Sequence, residues 1–182
     1  MYFTLADLVT DITQNACEAG ADLVELMVSE GGGEFRFLVK DNGRGMSREE
    51  LQAALDPFVT DGIKHPQRKI GLGIPFLIQT SVMSGGGWDV QSEKGMGTTA
   101  SAWFNTGNVD TPPVGDLPGM FRTILMNNNP SEIQIKRSRK LEDGTEMEYM
   151  VSKSELSDAL GDLEDAVSLV LLDKYLRSLE DD

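Results

Sequence analysis

Hydrophobic and polar positions repeat with two different periods along the chain, and each period predicts a type of element. Over residues 4–19 apolar side chains recur every three or four positions, which predicts a helix with one buried face. Gly20 follows directly, at a position where a glycine often ends a helix in the left-handed conformation. The apolar face comprises Leu5, Leu8, Val9, Ile12, Ala16 and Ala19.

Strands follow, because the pattern changes to a period of two. Residues 23–29 and 34–40 form a predicted hairpin, joined by three consecutive glycines. Residues 88–93 and 98–104 are two further predicted strands, with a tight turn at Gly95 and Gly97. Between the two strand pairs, the sequence Gly-Leu-Gly-Ile-Pro at residues 71–75 opens a predicted helix that runs to about Ser84. Its expected buried face carries Ile74, Leu77, Ile78 and Val82.

The second half of the chain has a different composition. Residues 105–118 are rich in Gly, Pro, Asn, Asp and Thr, which is typical of a linker. Beyond them the pattern predicts a helix at 120–126, a hairpin of 132–139 with 145–151, and helices at 153–160 and 163–179. We therefore expect one domain at 1–105, a linker at 106–118, and a hairpin-and-helix extension at 119–182 that is a candidate partner-binding region.

The last predicted helix is apolar on several sides. Residues 167 and 169–172 carry hydrophobic side chains, more than one buried stripe requires. The segment is predicted to pack either on the body of the protein or on a second subunit. A homodimer is therefore an open alternative at this point.

Composition and charge narrow the function classes. With 182 residues and 40% hydrophobic content the chain can build a proper core. Its net charge of −14 disfavours nucleic-acid binding, which needs cations for the phosphates; one basic cluster, residues 136–140, keeps that class open. The single cysteine, Cys17, is predicted to be a small buried residue. Because no apolar run approaches the roughly 20 residues of a membrane span and no basic leader precedes the first helix, we expect a cytoplasmic location.

Candidate chemistry begins on the first helix. Asp11, Asn15 and Glu18 stand at i, i+4 and i+7 and form one polar stripe beside the buried face. They are either ordinary solvated residues or the floor of a polar ligand site. Asp41 raises the same question, since it ends a predicted strand in a glycine-punctuated turn. The Asn-Gly dipeptide at 42–43 also suits a plain turn.

Three further stretches of the chain carry candidate features. Ser47 and Glu50 match a capping box for a short helix. Residues 56–70 lack periodicity, which is typical of a functional lid or a disordered segment, and His65 there has no partner at metal-ligand spacing. Gly71 and Gly73 stand before a helix, where phosphates can approach backbone amides.

The order of these motifs resembles the ATP-binding domain shared by DNA gyrase, heat-shock chaperones, sensor histidine kinases and MutL, the GHKL superfamily. The resemblance covers about residues 4–104. Residues 14–21 and 39–46 look most like the MutL type, whereas residues 71–74 and 88–98 look more like a sensor or anti-sigma kinase. It implies an α+β fold: a two-layer α/β sandwich of the Bergerat type, with a mixed sheet covered on one face by helices, plus a C-terminal α+β extension.

The resemblance also implies roles for individual residues. Asp41 would accept a hydrogen bond from the adenine amino group, and Asn15 would bind Mg²⁺. Either Lys69 or Arg68 would neutralise phosphate charge. Around the base, Gly43 and Gly45 would allow close backbone approach, Met46 would form an apolar wall and Thr98 would support Asp41. Around the phosphates, the lid would close with Gly71, Leu72 and Gly73. The implied cofactors are ATP and Mg²⁺.

One residue departs from the family pattern. Members that hydrolyse ATP or phosphorylate serine usually carry Glu four residues before the Asn, whereas this chain has Asp11 as its candidate general base. The shorter side chain has less reach, so nucleotide binding is the firmer expectation and turnover the weaker one.

Three functions remain open. The chain is an ATP-dependent switch, with or without slow hydrolysis, that acts on a protein partner; a serine or histidine protein kinase; or a non-hydrolysing nucleotide-binding module. DNA repair or topoisomerase activity fits the length and acidity poorly.

Overall fold

The computed structural model describes residues 4–56 and 73–181. These residues form six helices and six strands, which we number in chain order. The helices are α1 (Leu5–Glu18), α2 (Arg48–Leu55), α3 (Gly73–Met83), α4 (Leu117–Leu125), α5 (Lys153–Leu160) and α6 (Ala166–Ser178). The strands are β1 (Leu23–Gly31), β2 (Glu34–Asp41), β3 (Gly87–Glu93), β4 (Gly97–Asn105), β5 (Glu132–Lys140) and β6 (Glu146–Ser152).

The strands form one sheet in the order β3-β4-β2-β1-β5-β6. Neighbouring strands are antiparallel except for β1 and β5, which run parallel. The parallel pair joins residues more than 100 positions apart, for example Val24 with Ile133. The sheet is therefore mixed and open, and the predicted α+β class is confirmed.

Among the described residues, the helices cover one face of the sheet. On β2, Phe35, Phe37 and Val39 are buried, while Arg36 and Lys40 between them are exposed, as the period of two predicted. The other face carries ion pairs, such as Lys136 with Glu148 at 2.8 Å. A layer of helices on a sheet with one charged face is the predicted two-layer sandwich.

Helix α1 occupies the centre of the covered face, and its predicted apolar residues are buried except for Ala19, which is half-buried. Thr4 and Asp7 form a capping box at its start. The backbone N–H groups of Leu5 and Ala6 have no acceptor within the helix. They donate instead to the carbonyl oxygens of Pro113 and Val114, at 2.9 and 2.8 Å. The predicted linker thus contacts the first turn of α1. The helix ends as expected, with Gly20 at a φ of +73°.

The C-terminal elements share the sheet and core of the N-terminal ones. The hairpin predicted at 132–139 and 145–151 is present as β5 and β6, and it extends the sheet beyond β1. Helix α4 packs on α1, and α6 packs on α4. The core includes Phe121, Ile135 and Leu172 together with Leu8 and Phe37. The proposed division at 105 and 119 stays a prediction, because a shared core neither requires nor excludes separate roles.

The basic cluster at residues 136–140 is not one patch. Successive side chains of a strand point to opposite faces. Lys136 lies on the open face with Glu148, whereas Arg137 is fully buried and paired with Glu30 and Glu180. The cluster that kept nucleic-acid binding open is therefore divided between the two faces of β5.

Two smaller expectations concern buried side chains. Val82 was expected on the buried face of α3, yet it is 61% exposed. The row that faces the core is instead formed by Gly73, Leu77 and Ser81. Cys17 is fully buried as predicted, and burial raises the pKa of its thiol to about 11. No described helix is both long and apolar enough to cross a membrane.

Candidate functional site

The C-terminal end of β2 holds the first part of the site. Asp41 is the last residue of that strand, and its register partner on β4 is Thr98. Its carboxylate is 6% exposed and accepts hydrogen bonds from the Gly43 N–H, at 2.8 Å, and from the Thr98 backbone. Burial raises the pKa of this carboxyl, and the two N–H donors oppose the rise. The described part of the chain thus keeps this acid buried with two backbone N–H donors.

The turn after Asp41 is packed too closely for any side chain. A Cβ at Gly43 would lie 2.6 Å from the carbonyl oxygen of Ala19, at the end of α1. A Cβ at Gly45, whose φ is +61°, would lie 1.9 Å from the carbonyl oxygen of Glu93 at the end of β3. Two glycines here therefore let one turn touch both α1 and β3.

The middle of α1 forms the second part of the site. Asp11 and Asn15 are exposed and lie on the side of α1 that faces the start of α3. A Cβ at Gly73 would lie 3.3 Å from Asn15 Nδ2 and 3.4 Å from Asp11 Oδ2. Glu18, the third residue of the stripe, is bonded instead to Gln14 along the helix, at 2.8 Å. The structure thus brings Asp11, Asn15 and Gly73 together.

Helix α1 connects the two parts. The Ala19 carbonyl at its end accepts the Arg44 N–H of the Asp41 turn, at 3.0 Å. From Ala19 back to Asp11 the helix rises about 12 Å, at 1.5 Å per residue. The two parts of the site thus lie at the two ends of one segment of α1.

The remaining predicted residues divide into two sets. Met46 is half-buried beside this turn, and its N–H donates to Ser92 Oγ, at 2.8 Å. Lys69, Gly71, Leu72, Arg68 and His65 lie outside the described residues, as does the predicted lid at 56–70 except for Asp56.

The donor set near α1 suits a cation that is held mainly by its substrate. Among residues 4–56 and 73–181 no group of three or more His, Cys, Asp or Glu could hold a metal by itself. Asn15 and Asp11 offer an amide and a carboxylate oxygen, the ligand types that Mg²⁺ prefers. These residues fit a Mg²⁺ that takes its other ligands from phosphate oxygens and water.

Comparison with known proteins identifies the family. The model of histidine kinase-, DNA gyrase B- and HSP90-like ATPases matches residues 3–108, more than half of the chain. The chain belongs to this ATPase family. Membership supports ATP as a ligand of this chain.

Relatives of this ATPase chain include DNA mismatch repair proteins named MutL. The protein of Thermus aquaticus is 37% identical over 70 residues, which cover 38% of this chain and 13% of the relative. That of Gemmatimonas aurantiaca is 26% identical over 147 residues, which cover 75% and 23%. The chain thus spans less than a quarter of the length of these curated relatives. The poor fit expected for DNA repair stays a prediction.

Solved structures of similar fold include the Aquifex aeolicus MutL ATPase domain complexed with ADP. It has a TM-score of 0.45 and 16% identity, and the match covers 75% of this chain and 61% of that one. A histidine kinase domain from Erythrobacter litoralis has a TM-score of 0.32 and 20% identity, covering 48% and 34%.

Two residues that position the ATPase site were missed by the sequence reasoning. The Ser92 hydroxyl lies 2.8 Å from the Thr98 hydroxyl and accepts the Met46 N–H, so it ties β3 and β4 to the Asp41 turn. The Asn42 side chain accepts the N–H groups of Asp22 and Leu23, at 2.9 and 3.0 Å. The Asn-Gly dipeptide was a usable signal for Asn42, whereas Ser92 had none, because its partners are set by strand register.

Proposed function

We propose that this chain binds Mg·ATP along α1 and acts as a nucleotide-dependent switch for a protein partner, with slow hydrolysis as its reset. The observation that carries the nucleotide proposal is the buried Asp41 carboxylate. Among the described residues no lysine or arginine forms an ion pair with it. A buried acid without a counter-ion costs stability, so its retention favours a functional role.

The proposed base end uses the geometry around Asp41. Gly43 already donates to Oδ1 of this carboxylate. We assign its remaining acceptor capacity to the exocyclic amino group of adenine, which has hydrogens to donate. Gly43 and Gly45 let the turn pack against α1 and β3 and so hold it in place beside the base. Met46 would form an apolar wall, and Thr98 holds Asp41 from β4. The arrangement favours adenine over guanine, whose carbonyl at the same ring position is an acceptor.

The proposed phosphate end lies eight residues back along α1. Asn15 would hold the Mg²⁺, and Asp11 would orient the attacking water and accept its proton. Mg²⁺, when bound, would neutralise phosphate charge. The N-terminus of α3 at Gly73 adds backbone N–H groups and the positive end of a helix dipole. Lys69, Gly71 and Leu72 are proposed to complete this end.

The proposed switch acts through packed helices. Helix α1 carries Asp11 and Asn15 and packs on α4. Helix α4 in turn is tied to α6 by an ion pair of Arg122 with Asp173, at 2.9 Å. A displacement of α1 on nucleotide binding would therefore reach α6 through contiguous contacts. Support for the switch is this continuity, together with the short Asp11, which favours binding over rapid turnover.

The decisive experiment is thermal unfolding with and without Mg·ATP. We expect Mg·ATP to raise the melting temperature of the wild type. In Asp41→Asn the amide oxygen must take the place that accepts the Gly43 N–H, so the NH₂ group faces the adenine amino group, donor against donor. The variant should therefore lose the shift.

Asp110→Asn is the matched control, because it makes the same change at an exposed loop residue. It should keep the full shift. A wild type whose melting temperature Mg·ATP leaves unchanged would remove the nucleotide proposal.

A further inference from the structure

A second feature lies away from the nucleotide site, in a groove beside the last strand of the sheet. The groove has a volume of about 530 Å³ and is bordered by β6, α5 and α6. We call it the β6–α6 groove. Its lining includes Met150 and Ser152 of β6, Leu156 and Ala159 of α5, and Leu171 and Tyr175 of α6.

Helix α6 has two apolar faces, and one of them packs against the core of the described residues. Ser168, Leu172 and Leu176, four residues apart, are buried against the core. A second row stands on the solvent side of the same helix. Its exposed fractions are 67% for Val167, 55% for Val170, 46% for Leu171 and 43% for Tyr175, and Met150 on the adjoining strand is 61% exposed. A row of this kind beside a groove differs from single hydrophobic residues scattered over a surface.

The strand that borders the groove is at the edge of the sheet. Strand β6 pairs with β5 on one side, and no described strand pairs with its other side. An edge of this kind offers backbone donors and acceptors to an incoming chain. Apolar side chains and an open edge thus occur together, which suits the docking of a polypeptide segment more than of a small molecule.

Charge restricts the kind of segment. Residues 141–182 contain thirteen Asp and Glu against three Lys and Arg, which is ten of the chain's fourteen net negative charges. Two of the three cations are engaged. The Lys153 ammonium donates to the carbonyl oxygens of Asn127 and Pro130, and Arg177 pairs with Asp116 and Asp173. The groove therefore lies in a negative field, with the Glu155 side chain on its wall.

We propose that the β6–α6 groove binds a segment of a partner protein that carries large apolar side chains flanked by lysine or arginine. Leu171 and Tyr175 would bury the apolar side chains, and the surrounding carboxylates would attract the cations. A second copy of this chain fits less well, since a symmetric contact would bring two strongly acidic surfaces together. The groove carries none of the nucleotide-site residues, so the proposal stands apart from ATP binding.

The test uses two labelled synthetic peptides with the same amphipathic pattern, one built of leucine and lysine and the other of leucine and glutamate. Fluorescence anisotropy without nucleotide reports their binding to the wild type and to Leu171→Glu. We expect the lysine peptide to bind the wild type and the glutamate peptide not to bind. Leu171→Glu makes the surface more acidic, so purely ionic attachment would persist, whereas docking in the groove should weaken about tenfold or more.

Two further variants complete the design. Tyr175→Glu, at another position that lines the groove, should weaken binding too. Val109→Glu makes the same change at a loop residue that is 95% exposed, and it should bind the lysine peptide like the wild type. Unchanged melting temperatures would show that all three variants are folded.

Either of two outcomes would overturn the proposal. One is a lysine-peptide affinity that is the same in Leu171→Glu and the wild type. The other is a wild type that is dimeric by light scattering and becomes monomeric on Leu171→Glu, because a second copy would then occupy the groove.

Discussion

At the scale of single residues, Asp41 combines a cost in folding stability with the most specific proposed role. The strand period places it on the buried face of β2, with Val39 two positions before it. Burial raises the pKa of its carboxyl, and only backbone donors oppose that. The Asp41 carboxylate, which we propose accepts a hydrogen bond from adenine, thus destabilises the protein when no ligand is bound.

The burial of this carboxylate predicts that the free energy of unfolding depends on pH. Since the pKa of Asp41 is higher in the folded state than its ordinary value of 3.8, the protonated form is the better accommodated one. The contribution of protonated Asp41 to the free energy of unfolding is fully present at pH values below about 3.8. It is lost as the pH rises through the raised pKa of the folded state. A tenfold difference in proton affinity corresponds to about 1.4 kcal/mol.

The measurement is urea unfolding of the wild type and Asp41→Asn from acidic to neutral pH. We expect Asp41→Asn to gain free energy of unfolding relative to the wild type as pH rises, because asparagine has no charge to bury. A difference that stays constant with pH, or that reverses, would contradict this account.

Residue-level prediction from sequence succeeded where the signal is local. Ser47 and Glu50 form the expected capping box, because its three-residue spacing is enough to define it. Ser92 shows the limit. Its hydroxyl contacts the Thr98 hydroxyl because β3 and β4 pair in one register, which no property of the sequence around Ser92 reveals.

At the scale of elements, the end of α6 is fastened to the sheet by a buried charged cluster. Arg137 is fully buried and pairs with Glu30 of β1 and Glu180, just after α6. The Tyr149 hydroxyl donates to Glu180 as well, at 2.7 Å. Burial alone would lower the pKa of Arg137, but Glu180 and Glu30 raise it further than burial lowers it. The arginine is therefore charged and neutralised inside the fold.

Substitution of two arginines in this region should therefore lower the free energy of unfolding by very different amounts. Arg137→Met keeps most of the side-chain volume but leaves Glu30 and Glu180 without their cation, so we expect a loss of about 3–5 kcal/mol in the free energy of unfolding. Arg177→Met removes the solvated pairs with Asp116 and Asp173, and we expect a much smaller loss. Chemical denaturation of both variants measures the contrast, and equal losses would contradict it.

The two predicted hairpins were confirmed because alternation and turn glycines are properties of short segments. The place of β5 was not predicted from local pattern, since its parallel pairing with β1 joins distant parts of the chain. For the same reason a basic cluster in the sequence became one buried and one exposed cation.

At the scale of the whole molecule, α1 links the nucleotide site to the C-terminal elements. It contacts the Asp41 turn, the start of α3 and α4. Under the proposed function, binding and turnover should be separable, because Asp41 and Asp11 lie at opposite ends of the proposed site.

That separation predicts the phenotype of Asp11→Asn. The amide has nearly the same shape but cannot accept a proton, so ATP hydrolysis by the purified protein should fall by about 100-fold or more. The increase in melting temperature with Mg·ATP should remain. Asp89→Asn, the same change at an exposed position of β3, is the control and should hydrolyse ATP like the wild type. Undiminished hydrolysis in Asp11→Asn would mean that the base lies elsewhere or that the activity is a contaminant.

The sequence by itself determined the helix and strand types, the buried face of α1, the glycine turn after Asp41 and the family, because these depend on periodicity and short-range spacing. Only the tertiary structure decided that Asp11 and Asn15 face Gly73, that Arg137 is neutralised in the core, and that α6 keeps an uncovered apolar row. A pattern specifies that one face of an element is buried. Which distant element covers it, and which charge finds a partner, depends on contacts that form only when the whole chain has folded.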